Sequence, residues 1–210
     1  MKIRLPFFLV AFLVSAGLFA QKNTETRTLS GFDNLEVSGG FDQITLVAGS
    51  EEKVSIEAEG VDLDKIITDV KGNTLDIHMK KGSYRDHKIR MTVTYRKLTE
   101  VSSSGSTDFV TANPIKGDSF EFNMSGSGDF KGTFEVKKLS INISGSGDVL
   151  ASGSADRQEY AISGSGDVKA DKLKGKSADV AISGSGDVVL NVDGPVKTAV
   201  SGSGSVDNRN

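Results

Sequence analysis

The chain has 210 residues with no Cys, no Trp, two His and a formal net charge of −3. That length suits one domain with a real core, and the missing cysteines exclude disulfide scaffolds, Cys-ligated zinc, iron–sulfur clusters and thiol nucleophiles. The charge leaves no basic footprint for nucleic acid.

Residues 1–20 read as a leader. Met1-Lys2-Ile3-Arg4 is basic, Leu5–Val14 is apolar, and Ser15, Ala16 and Gly17 lead to a cleavage point after Ala20. A basic start, a short apolar run and a small-residue exit describe a secretory signal peptide rather than a membrane span. Its removal takes the formal charge from −3 to −5 for residues 21–210, because Lys2 and Arg4 leave with it. The remainder is expected as one exported domain without a transmembrane segment, in the periplasm or at the surface of a Gram-negative bacterium.

Residues 21–100 alternate apolar and polar in short runs: Leu35-Glu36-Val37, Phe41–Leu46, Val54–Ala58, Leu75–Met79 and Ile89–Tyr95. Period two with β-branched residues predicts strands, and Ala48-Gly49-Ser50, Lys71-Gly72-Asn73 and Lys81-Gly82-Ser83 predict turns between them. Only Val61–Ile67 has the composition of a helical turn. Ser38-Gly39-Gly40-Phe41-Asp42 looks like a distant relative of a motif found later in the chain. An irregular β part that caps one end of the fold is expected here, because an uncovered sheet edge pairs with other chains.

From Val101 onward the chain repeats, and 16 of its 24 glycines fall in this half. Ser104-Gly105-Ser106-Thr107-Asp108 is a degenerate first copy. Ser-Gly-Ser-Gly-Asp then occurs at Ser125–Asp129, Ser144–Asp148, Ser163–Asp167 and Ser183–Asp187, and Ser201–Ser205 closes the series. The starts lie 21, 19, 19, 20 and 18 residues apart. A fixed period near twenty indicates a solenoid. Before each motif apolar residues alternate, as in Phe120-Glu121-Phe122-Asn123-Met124, and one more follows the motif, as in Phe130 and Val149. Leucine-rich repeats would need a helical segment that is missing, and a flexible Gly/Ser linker would carry no phased apolar residues. Each repeat is therefore read as one coil of an all-β parallel β-helix, about 19–20 residues per coil, with coils stacked about 4.8 Å apart. The two glycines of each copy (Gly126 and Gly128, Gly145 and Gly147, Gly164 and Gly166, Gly184 and Gly186) are assigned to a tight corner.

Three N-terminal stretches, Gly31–Val37, Leu63-Asp64-Lys65-Ile66 and Gly72–Ile77, together with the tandem Ser-Gly-Ser-Gly-Asp, resemble the putative auto-transporter adhesin, head GIN domain family of exported bacterial proteins. The resemblance covers nearly all of residues 28–207. It implies a right-handed β-helix and an adhesin-like role, with no catalytic residues to carry over.

If the pleat continues through the motif, Ser125, Ser127 and Asp129 point outward while Gly126, Gly128 and Phe130 lie inside. Stacking then brings Asp129, Asp148, Asp167 and Asp187 into a ladder whose neighbours repel by about 1 kcal/mol even in bulk water. An Asx-type hydrogen bond to a turn N–H would offset this; calcium held by the same four aspartates is the sharper alternative. Calcium-binding repeats of the Gly-Gly-x-Gly-x-Asp kind have a nine-residue period, so no metal and no cofactor are assigned. Catalysis needs residues that break the repeat, and the aspartates are alike, so no enzyme is assigned. Tyr84-Arg85-Asp86-His87-Lys88 is the one irregular polar and aromatic cluster; it reads as a solvated hairpin tip, with Tyr84, Arg85 and His87 as non-repeating ligand contacts. The expected function is a non-catalytic, exported, adhesin-like protein presenting a repetitive Ser/Asp face to a cell-surface or polysaccharide ligand. A periplasmic structural or envelope-associated protein is the alternative, with a carbohydrate-active enzyme a distant third. Oligomeric state is not legible.

Overall fold

Period-two alternation becomes strand almost everywhere in the computed structural model, which describes residues 22–210. The leader expected over residues 1–20 lies outside the described residues. The repeat half supplies β8 (Glu100–Gly105), β9 (Phe109–Thr111), β10 (Ile115–Gly126), β11 (Phe130–Gly145), β12 (Val149–Gly164), β13 (Val168–Gly175), β14 (Ser177–Gly184), β15 (Val188–Val192), β16 (Val196–Gly202) and β17 (Val206–Asn208). All their mutual pairings are parallel, and they build a β-solenoid of about five turns. One face stacks β8, β10, β11, β12, β14 and β16, with the Ser-Gly of every motif in register, as in Ser144↔Ser163↔Ser183↔Ser201. A second face stacks β9 and the strand segments that follow each aspartate, as in Phe130↔Val149↔Val168↔Val188. We call these the motif face and the post-motif face. The long strands β11 and β12 run from the second face to the first. They bend where two exposed residues interrupt the alternation, at Lys137-Lys138 and Asp156-Arg157.

The N-terminal part contributes β1 (Asn23–Thr28), β2 (Asn34–Gly39), β3 (Gln43–Ala48), β4 (Lys53–Glu59), a single 3-10 turn at Leu63–Lys65, β5 (Ile66–Lys71), β6 (Thr74–Met79) and β7 (Lys88–Tyr95). Four of these strands are coils of the same stack, taken out of chain order. β2 lies between β6 and β8, and β3 between β7 and β9, all parallel. Ser38 and Gly39 register with Ser104 and Gly105, so the distant copy of the motif occupies a motif position. β5 and β4 then pair antiparallel with β6 and β7, and β1 with β4, covering the edge of the first coil. Arg27 fastens this cover, its guanidinium donating to the carbonyls of Ile66 (2.7 Å) and Leu63 (2.9 Å).

The core is a column of inward side chains, one set per coil. Aromatic rings fill the middle: Phe130 packs with Phe122 at a centroid distance of 4.5 Å and with Phe134 at 5.8 Å. Ile143, Ile162 and Ile182 continue the column toward the C-terminal coils, all buried. Gln158 is a polar side chain fully buried in this column. It accepts from the Tyr160 hydroxyl at 2.9 Å and donates to the Leu173 carbonyl at 3.2 Å, which satisfies it. Desolvation pushes the Tyr160 phenol far above its ordinary value and that of Tyr95 up to about 12.

Candidate functional site

The repeated corner is built from its glycines. Gly126 and Gly145 hold φ of 153° and 145°, a region that side chains of L-residues avoid, and a Cβ on Gly145 would collide with the Gly126 carbonyl oxygen one coil below. The second glycine answers to stacking alone: a Cβ on Gly147 would strike the Gly128 carbonyl and the Met124 methyl. In the degenerate copy Thr107 takes that place. It is buried, accepting from the Phe41 N–H at 3.2 Å and donating to the Gly39 carbonyl at 3.3 Å. Close approach lets the corners hydrogen-bond layer to layer. The Ser146 N–H donates to the Gly126 carbonyl at 3.0 Å, and the Phe130 N–H to the Asp148 carbonyl at 2.8 Å.

The aspartates complete this ladder. Asp129 Oδ1 accepts from the Asp148 N–H (3.0 Å), Asp148 Oδ1 from the Asp167 N–H (2.9 Å), and Asp167 Oδ1 from the Asp187 N–H (2.9 Å). The bond expected within each turn thus crosses to the next coil. At the last copy, Ser205 donates both its N–H and its hydroxyl to Asp187 Oδ1 at 2.8 Å and offers no carboxylate onward. No three His, Asp or Glu side chains among the described residues gather as a metal-holding group.

One consequence is measurable. Asp148→Ala strips the acceptor from the Asp167 N–H and is expected to cost about 1 kcal/mol, while Asp148→Asn keeps a carbonyl oxygen there and costs less. Urea unfolding of the two variants checks the order; equal losses would mean that the carboxylate charge, not the acceptor, matters at this position.

The first serine of each motif is exposed, and the residue two before it also faces outward. Between these two columns runs a groove of about 900 Å³, spanning the stack from Glu36 to Val200. Its character changes along its length. Ser102, Asn123 and Asn142 line one end, and Ala161, Ala181 and Ala199 the other. Asn142 donates to Asn123 Oδ1 at 2.7 Å and Asn123 to Glu100 at 3.2 Å, so the polar end is knitted across coils. Beside the apolar end lies an ion-pair lattice: Lys138 to Glu159 (2.8 Å), Arg157 to Glu159 (2.8 Å) and Arg157 to Asp179 (2.7 Å). The hydrogen bond from Lys138, and then that from Arg157, hold the Glu159 carboxyl below the ordinary carboxylate range. The groove escaped the reading of the sequence. Its one signal there is the substitution of Asn by Ala two residues before the motif in the later copies.

Tyr84, Arg85 and His87 lie apart from this ladder, in the segment joining β6 to β7. These two strands do not pair with each other, so the segment is not a hairpin tip; it takes the place of the motif corner in the first coil. Arg85 is exposed. Tyr84 is half-buried and donates to the Lys80 carbonyl at 3.0 Å, and His87 stands edge-on to it at 6.4 Å.

The fold is thus a parallel β-solenoid with glycine-rich corners and a groove along its stack. The chain belongs to the family described as "Putative auto-transporter adhesin, head GIN domain", whose model matches residues 31–210. No curated protein matches it. Among solved structures it is similar to a putative adhesin from Bacteroides fragilis (20% identity, TM-score 0.79). A putative lipid binding protein from Parabacteroides distasonis is also similar (21%, 0.68), as is a putative adhesin from Parabacteroides merdae (18%, 0.62). Each comparison covers 90% of this chain and 97% of the other, and at these identities it is the fold that is shared. No helix among the described residues is long and apolar enough to cross a membrane.

Proposed function

We propose that this is an exported, non-catalytic binding protein of the adhesin type, which lays an extended cell-surface polymer, a polysaccharide foremost, along the groove of its motif face. The observation that carries the reading is the groove itself: a continuous trough of about 900 Å³ flanked by a serine from each successive coil. Equally spaced hydroxyls suit a ligand that is itself a repeat. The aspartates serve the corner ladder, so contact falls to the serines, the asparagines and the alanine floor. The leader-like residues 1–20 support export, and membership of an adhesin family supports a surface role.

Two measurements test this. Protease shaving of intact cells is expected to cleave the chain; a chain wholly protected until the outer membrane is broken would replace the surface role by a structural one in the envelope. Ala181→Trp fills the groove from an exposed position, and is expected to weaken binding to cell-wall and surface glycans at least about tenfold, or 1.4 kcal/mol, with its melting midpoint unchanged. Binding equal to that of the unaltered protein would remove the groove from the mechanism.

A further inference from the structure

The two ends of the stack are finished differently. At the first coil β4 and β5 cover the edge with antiparallel strands. At the other end the coil of β16 and β17 has a neighbour on one side only: among the described residues β16 pairs with β14, and β17 with β15. The Ala178 N–H donates to the Pro195 carbonyl at 3.1 Å, and the Ser203 N–H to the Gly184 carbonyl at 2.9 Å. Backbone groups alternate sides along a strand, so Pro195, Lys197, Ala199 and Ser201 face β14. The N–H and C=O groups of Val196, Thr198 and Val200 therefore face the open edge.

The interior is open at the same place. Val200 continues the column of Ile143, Ile162 and Ile182 by register, yet it is 45% exposed where those three are buried. Val196 and Val206 register with the buried Ala178 and Val188 but are themselves only half-buried. Sheet edges that stay single are often guarded by a charge on an inward position. Here the inward positions Val196, Thr198, Val200, Val206 and Asn208 carry none. Pro195 lacks its N–H on the β14 side, and Lys197 points outward in register with Asp179, so neither blocks the edge.

We propose that this end docks on the same end of a second copy, β16 meeting its symmetry mate antiparallel about a two-fold axis, so that two stacks join as one longer solenoid. Unpaired backbone groups call for a strand, and the open column calls for inward apolar side chains in step with it. The same coil of a second copy offers both. β16 is self-complementary in the register that opposes Ala199 to Ala199. Thr198 and Val200, both inward and both edge-facing, then oppose each other, and Lys197 opposes Ser201, so no like charges meet. A two-fold contact uses one end of each chain, and the covered first coil stops growth at two. The two grooves meet at Ala199, Val200 and Ser201, which line the end of each. The pairing does not depend on what the groove binds.

Sedimentation equilibrium of the exported protein at micromolar concentration is expected to show a dimer that grows no further. A cysteine can report the contact, because the chain has none of its own. Ala199→Cys sets two thiols across the two-fold axis, where opposed Cα atoms of a non-hydrogen-bonded pair lie about 4.5 Å apart, within disulfide reach. Mild oxidation should convert this variant to a covalent dimer and leave Ala181→Cys, one coil in, uncrosslinked. Val200→Lys places an unpaired charge in the contact and should sediment as a monomer, with its circular dichroism unchanged. A wild-type protein that sediments as a monomer overturns the proposal. So does a dimer that survives Val200→Lys, or an Ala199→Cys that crosslinks no faster than Ala181→Cys. Assemblies that lengthen with concentration overturn it as well, because they need both ends open. Ala181→Trp in the groove should dimerise normally, so the groove and this contact fail separately.

Discussion

Gly145→Ala is expected to destabilise the protein by about 2–5 kcal/mol. Two costs combine: about 1–2 kcal/mol for an L-residue at positive φ, and about 1–3 kcal/mol for forcing a methyl into a packed contact. Both apply because Gly145 has φ 145° and no space above the Gly126 carbonyl. Relief would require the two coils to separate, which would break the Ser146 N–H bond to Gly126. A domain of ordinary stability, about 5–15 kcal/mol, does not absorb many such losses. Gly147→Ala isolates the second cost, since its φ is one that other residues adopt. Ser146→Ala, exposed and keeping its backbone N–H, should stay within about 0.5 kcal/mol. Urea unfolding followed by far-UV circular dichroism reads all three. A Gly145→Ala protein unfolding at the wild-type midpoint would mean that the corners are not stacked as described.

The second large effect belongs to Phe130, for which substitution by Ala should cost about 3–5 kcal/mol. Its ring stands 4.5 Å from Phe122, 5.8 Å from Phe134 and 6.2 Å from both Phe109 and Phe120. Removing it opens a cavity in a place where four neighbours cannot all close inward without leaving their strands. It also deletes ring–ring contacts of about 0.5–1.5 kcal/mol each beyond area burial. Val149→Ala, at the same register one coil on, removes fewer atoms and no aromatic pairs, and should cost clearly less. Equal losses at the two positions would deny the aromatic cluster any special part in holding the stack.

Much of this was legible from residue order. The Ser-Gly-Ser-Gly-Asp spacing located the corners, and continuing the pleat through the motif assigned Phe130 to the interior, where it is. The helical turn expected within Val61–Ile67 is the 3-10 turn Leu63–Lys65. Even the kinship of Ser38-Gly39 with the later motif proved to be a stacking register. The order of the first coils was not legible. Nothing in Asn34–Gly39 says that the strand following it in the stack lies sixty residues on in the chain, or that Thr74–Met79 will sit on its other side. Nor did any residue announce the groove, whose walls come from seven separate coils.

By itself the sequence determined the shape of one coil. Glycine's tolerance of positive φ and the period of two along the strand lie within each coil's own residues, and every copy has them, with Thr107 in place of the second glycine in the degenerate one. The tertiary structure decided which coil lies on which, where the carboxylate of each aspartate finds its N–H, and which outward columns become surfaces. Those outcomes depend on partners that strand alternation does not name. A strand edge accepts any parallel neighbour of matching inward side chains, so the choice is made by the whole stack, once the antiparallel cover has closed one end.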